Sequence, residues 1–135
     1  MTLAPAVATI HEMQRLNLIE RSSIMGEYLG EKLRQLAETH PSVGNVRGLG
    51  LFWAVDLVKN RETKEPMNSM AEKLEGRSLV VDQVAAEMMK NGVAVQPWIS
   101  HLVLAPPLII EHGDIDLAMT TLNFALDISD RFVEA

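Results

Sequence analysis

The chain of 135 residues has no cysteine. Disulfides, thiolate metal sites and cysteine nucleophiles are thereby excluded, and a reducing compartment is permitted. No basic run or stripe interrupts a net charge of −6, so the electrostatic footprint of a nucleic-acid binder is missing. No apolar run reaches the ~20 residues that span a bilayer. The opening Met1-Thr2-Leu3-Ala4-Pro5-Ala6-Val7 lacks the charged start and long apolar core of a signal peptide, and a cytoplasmic location is expected. Internal repeats and low-complexity segments are also absent. With 47% apolar residues, the chain is large enough for one domain with a real core, but small for a complete enzyme with an organic cofactor.

What is present is a run of short periodic segments. Ile10, Met13 and Leu16 recur at three-residue spacing and predict a short helix over 5–17, with Pro5 where a first turn tolerates it. Met25, Leu29, Leu33 and Leu36 share one face of a second helix that stops before His40-Pro41. Residues 43–58 are glycine-punctuated and rich in β-branched and apolar side chains. They predict two strands meeting near Gly48-Leu49-Gly50, with Leu51, Trp53, Val55 and Leu57 facing the core and Asp56 the other way. Residues 59–77 turn polar and predict a surface loop.

Ser78 is positioned to cap a helix with Val81, Val84, Ala85, Met88 and Met89 inside, and Asn91-Gly92 supplies its exit. Short strands over 93–96 and 102–104 follow, separated by a loop over 97–101 and closed by Pro106-Pro107. A last helix over 113–133 carries Ile115, Met119, Leu122, Leu126 and Val133 along one stripe, with Asp114 and Asp116 near the positive end of its dipole. This order predicts an α+β fold, helices layered on a small mixed or antiparallel sheet.

No catalytic constellation assembles from these residues. The histidines at 11, 40, 101 and 112 lack partners at metal-ligand spacing, so no metal site is expected, and His11 and His40 take surface or helix-end roles. Gly48-Leu49-Gly50 lacks the third glycine of a dinucleotide fingerprint and runs into a strand. Three places are less fully explained by structure alone. Arg47, in an apolar strand pair, needs an anionic or carbonyl partner; an ion pair with Asp56 is favoured over a substrate contact. Trp98 and His101 lie in a short loop of the kind that carries binding groups. Burial at an interface and lining of a ligand pocket stand equal for Trp98. For His101 a loop-stabilising hydrogen bond is favoured over a pocket-mouth contact.

Three stretches together resemble the carboxyl-terminal region of class III aminotransferases. They are His40-Pro41-Ser42-Val43-Gly44-Asn45-Val46-Arg47-Gly48-Leu49-Gly50-Leu51 with its following strand, the Lys59-Asn60-Arg61-Glu62-Thr63-Lys64-Glu65-Pro66 loop, and Leu102-Val103-Leu104-Ala105-Pro106-Pro107-Leu108-Ile109-Ile110. The likeness is closest to the ω-amino-acid:pyruvate branch and covers essentially the whole chain. It implies connecting helices over 1–39 and a small domain over 40–135, as in fold type I enzymes. It also implies a large domain upstream that holds pyridoxal phosphate on a lysine, and a homodimeric enzyme. Amino transfer from an amine or ω-amino acid to a keto acid such as pyruvate would follow a ping-pong route.

None of Lys32, Lys59, Lys64, Lys73 and Lys90 matches the family's lysine motif. The segment alone is therefore expected to bind no cofactor and to be inactive, although self-association through its exposed apolar surface is possible. The resemblance departs at two positions. The ω-amino-acid branch has a carboxylate-gripping arginine where this chain has Gln96, and the ornithine-like branch has one where it has Val103. A neutral amide grips a carboxylate less strongly. Gln96, Trp98, His101 and Arg47 are the substrate-facing candidates. The rival expectation is a free-standing, non-catalytic α+β binding module.

Overall fold

Helix α1 (Ala4–Arg15) opens the computed structural model, which describes residues 3–134. Helix α2 (Leu18–Thr39) follows after Asn17, whose positive φ breaks the axis and which asparagine tolerates better than most residues. The four-residue spacing of Met25, Leu29 and Leu33 buries all three on one face, and Pro41 ends the helix by disfavouring helical backbone at His40. Helix α1 buries no residue. Its expected apolar stripe stays largely exposed among the described residues, with Ile10 54% and Leu16 38% exposed.

Strands β1 (Val43–Leu49) and β2 (Phe52–Asn60) form the expected hairpin, turning at Gly50 and Leu51. Then come β3 (Glu65–Pro66), α3 (Met70–Leu74), α4 (Val80–Lys90), β4 (Gln96–Trp98), β5 (His101–Leu104) and α5 (His112–Asp130). The sheet order is β1-β2-β5-β4, with β3 beside the far end of β2, and every pairing is antiparallel. The fold is thus α+β, as predicted. Leu33, Val55, Leu57, Val81, Met88, Leu102, Leu122 and Leu126 meet in one core between the sheet and α2, α4 and α5. Each such burial contributes roughly 1.5–3 kcal/mol.

The structure differs from the sequence reading in several places. The polar stretch over 59–77 is not all surface loop: it holds β3 and α3, and Met67 and Asn68 within it are buried. A capping box between Ser69 and Glu72 starts α3. Ser78 does not cap α4; Leu79 occupies that position, and the Ser78 hydroxyl instead faces Gln83 Nε2 at 3.5 Å. Met89 is 58% exposed, because the stripe through Val81, Val84, Ala85 and Met88 leaves the next residue about 100° around the helix. Strand β4 starts at Gln96 rather than at 93, and the loop expected over 97–101 shrinks to Ile99 and Ser100. Pro97 is accommodated because β4 is the sheet's edge, where proline is allowed. Val133 lies beyond α5.

The two ends of the domain are tied by a buried polar knot. His40, only 4% exposed, places Nδ1 at 2.6 Å from Asp130 Oδ2 and Nε2 at 3.1 Å from Asn123 Oδ1. Asp130 Oδ1 accepts from the Ser42 amide at 3.0 Å and the Ser42 hydroxyl at 2.6 Å. His40 therefore takes a helix-end role as expected, but in the interior and not on the surface. On the outside of the helix layer, the Tyr28 hydroxyl donates to Asp116 at 2.6 Å, and Lys32 stands 3.2 Å from the same carboxylate.

Candidate functional site

Helices cover one face of the sheet, and pleating decides what is displayed on the other. Along β2, Phe52, Ala54 and Asp56 alternate with the buried Trp53, Val55 and Leu57. The strand registers carry this open face sideways. One row runs Arg47, Ala54, Val103, Gln96, and the next runs Asn45, Asp56, His101, Trp98. Arg47, Gln96, Trp98 and His101 therefore occupy adjacent rows of a single face, although they come from three strands. Arg47 and Gln96 stand three strand spacings apart, roughly 14 Å. Gln96 is directly opposite Val103, so the two positions at which the resembling branches carry an arginine are cross-strand neighbours.

Arg47 makes the ion pair expected of it: Nη1 donates to Asp56 Oδ2, which also lies 3.5 Å from Asn45 Nδ2. The pair is diagonal across β1 and β2, and the arginine side chain stays 53% exposed. A broad, shallow recess of about 680 Å³ runs from Arg47 over Leu49, Phe52, Ala54 and Val103 to His101. A second, of about 410 Å³, lies beyond His101 and is lined by Asn45, Asp56, Lys64, Pro66 and Ser100 among others. His101 borders both. Its expected loop position is replaced by the first position of β5, and no hydrogen bond from its ring is found among the described residues.

Trp98 and His101 flank a two-residue turn whose first residue, Ile99, has φ of 55°. Glycine ordinarily fills that place, and a β-branched residue there is strained. Two contacts from the 59–77 stretch hold the turn. The buried Ser100 hydroxyl accepts from the Asn68 amide at 2.8 Å and donates to the Asn68 carbonyl, while Asn68 Oδ1 accepts from the Val81 amide at 3.3 Å. Lys73 of α3 places Nζ 4.0 Å from the centroid of the Trp98 ring. Trp98 is 47% exposed and is thus neither fully buried nor free. Neither contact was legible in the sequence: Asn68 and Ser100 are 32 residues apart, and no periodicity links them.

The residues present do not fit pyridoxal phosphate. A side chain's worth of space beside Gly48 is filled by the Trp53 ring and the Phe52 carbonyl, and beside Gly50 by Ser22, so the glycine pair offers no phosphate cradle. Lys32, Lys59 and Lys90 pair with Asp116, Glu65 and Glu87, and Lys64 donates to the Gly44 carbonyl. Lys73 lies on the Trp98 ring.

Among the described residues, folding does create one cluster at metal-ligand spacing that sequence spacing could not reveal. His40, Asp127 and Asp130 each bring a donor atom within 4.8 Å of the others. Both ring nitrogens of His40 and both oxygens of Asp130 already face protein partners, so the cluster serves as a structural tie.

The family model described as Aminotransferase class-III matches residues 1–126. An uncharacterized aminotransferase of Schizosaccharomyces pombe is 37% identical over 134 residues, covering 89% of this chain and 26% of that protein. A taurine–pyruvate aminotransferase of Bilophila wadsworthia is 37% identical over 114 residues, covering 84% of this chain and 24% of that protein. Among solved structures, a taurine:2-oxoglutarate aminotransferase from Bifidobacterium kashiwanohense, in complex with pyridoxal phosphate and glutamate, superposes with a TM-score of 0.83 at 27% identity. That match covers 93% of this chain and 27% of the other. The chain thus spans about a quarter of the length of the relatives it matches.

Proposed function

The chain belongs to the class III aminotransferases, and from that premise we propose that it is the carboxyl-terminal small domain of such an enzyme. The whole enzyme moves an amino group from an amine or ω-amino acid to a keto acid such as pyruvate, while this segment alone is inactive. The observation that carries the reading is the open sheet face, on which Arg47, Gln96, Trp98 and His101 converge while the core with α2, α4 and α5 lies on the opposite side. A half-polar, uncovered sheet face suits closure over a ligand held by another body.

In this reading residues 1–39 connect the two bodies and residues 40–135 form the small domain. Helix α1, with no buried residue, packs on the remainder of the polypeptide. That remainder holds pyridoxal phosphate, the group that accepts and returns the amino function when bound. In this reading the complete enzyme is cytoplasmic, and it is a homodimer, as the family resemblance implies. Within this chain, Trp98 supplies a flat apolar wall, Gln96 an amide that orients a polar substrate group, His101 a ring at the junction of the two recesses, and Arg47 a guanidinium steered by Asp56.

Exchanging Trp98→Ala in the complete enzyme tests the reading. Relative kcat/KM across a series of amine donors should change, since removal of a wall acts unequally on donors of different shape. Identical relative values for parent and variant would count against it.

A further inference from the structure

Among the five lysines, four have an oxygen partner: Lys32, Lys59 and Lys90 sit beside carboxylates and Lys64 donates to a carbonyl. Lys73 differs. Among the described residues its ammonium has neither an ion pair nor a hydrogen bond, and it lies over the Trp98 ring, 4.0 Å from the centroid. A ring face attracts a cation without consuming its N–H donors, so the amine is held in place with its hydrogen-bonding capacity unspent. Its location matters as much. Trp98 lies two residues along β4 from Gln96, whose row and face are those of the open surface. The hairpin end of that surface, where neither Gln96 nor Val103 carries charge, thus receives a cation from α3, an element outside the sheet.

We propose that Lys73 is the acid-recognising group of the open face, its ammonium on the Trp98 ring pairing with the carboxylate of a small-molecule acid while the remaining N–H of the Gln96 amide, whose other N–H donates to the Pro97 carbonyl at 3.1 Å, gives a second hydrogen bond. The assignment rests on the reading of this face as substrate-facing and names the group that recognises the acid. A lysine ammonium forms a point contact with rotatable donors, whereas an arginine would impose a planar two-pronged grip. The site therefore discriminates less by the planarity of the anion than an arginine would. Lys73 contacts the substrate in this assignment; Asn68 and Ser100 act through the hairpin and are positioning residues.

The test uses the 135-residue chain and needs no catalysis. Nitrogen-15 spectra resolve the indole signals of Trp53 and Trp98, and Trp98→Phe assigns them. Pyruvate titrated at constant ionic strength, with sodium chloride as the reference, should shift the Trp98 signal and leave that of the buried Trp53 in place. Lys73→Met should weaken the apparent affinity about fivefold, the upper size of an exposed ion pair, and Lys73→Arg should restore it. A Trp98 signal indifferent to pyruvate, an equal response to chloride, or a Lys73→Met chain that responds like the parent overturns the assignment. Altered donor preference in the Trp98→Ala enzyme alongside any of these results would leave the open-face reading standing and remove Lys73 alone.

Discussion

Gly26 of α2 and Gly50 of the β1 to β2 turn touch backbone to backbone: a Cβ added to Gly26 would overlap the Gly50 carbonyl. That carbonyl also accepts a 2.7 Å hydrogen bond from Trp53 Nε1, and Gly50 itself has a positive φ of 53°. The long helix and the hairpin that carries Arg47 are therefore set at a distance only glycine permits. Gly26→Ala should destabilise the domain by about 1–3 kcal/mol through overpacking, despite the better helix propensity of alanine. Urea denaturation measures this; a neutral or stabilised variant would show that α2 can retreat from the turn at no cost.

Ser100 satisfies both backbone polar groups of Asn68 from inside the protein. Ser100→Ala leaves a buried amide and a buried carbonyl unpaired and should cost about 2–4 kcal/mol. Amide hydrogen exchange across the β4 to β5 hairpin should accelerate in the same variant, because the strained turn at Ile99 loses its brace. If exchange quickens no more there than in β1, the bridge stabilises the fold without holding the hairpin.

Asp116 titrates below the usual aspartate range, chiefly because the Tyr28 hydroxyl donates to its carboxylate and secondarily because Lys32 stands beside it. A carboxyl held low in the folded state adds stability that is complete above the ordinary aspartate pKa, and acid removes it as the pH falls through the lowered value. Tyr28→Phe should therefore raise the Asp116 titration toward the ordinary range, and the stability gap between parent and variant should close on acidification. Carbon-13 carboxyl shifts follow the first effect and urea melts at stepped pH the second. An unmoved Asp116 titration would remove Tyr28 as its main cause.

Much of this architecture follows from local pattern. The spacing of Met25, Leu29 and Leu33 and the alternation of Trp53, Val55 and Leu57 each specify a period and a buried face. The pairing of Arg47 with Asp56 was legible because both lie on one hairpin. Other features depend on strand order, which sequence spacing does not encode. The convergence of Arg47 with Gln96 requires β5 to insert between β2 and β4, and His40 meets Asp130 only after 90 residues of chain have folded back. The β4 boundary slipped for a different reason. A proline usually ends a strand, and only the edge position of β4 lets Pro97 stay inside one. Helix α3 was legible in principle: Ser69 and Glu72 stand at capping-box spacing, but no apolar stripe followed them.

Pro97 has one more consequence. It pairs with Leu102 one step inside the turn-flanking pair of Trp98 and His101, and in the alternating ladder of an antiparallel hairpin such a residue directs its backbone nitrogen away from its partner. There the outer rim of the sheet has no N–H to offer. An incoming strand from a neighbouring molecule finds a gap in the ladder it would need to extend. At this rim the domain resists growth into a continuous intermolecular ribbon.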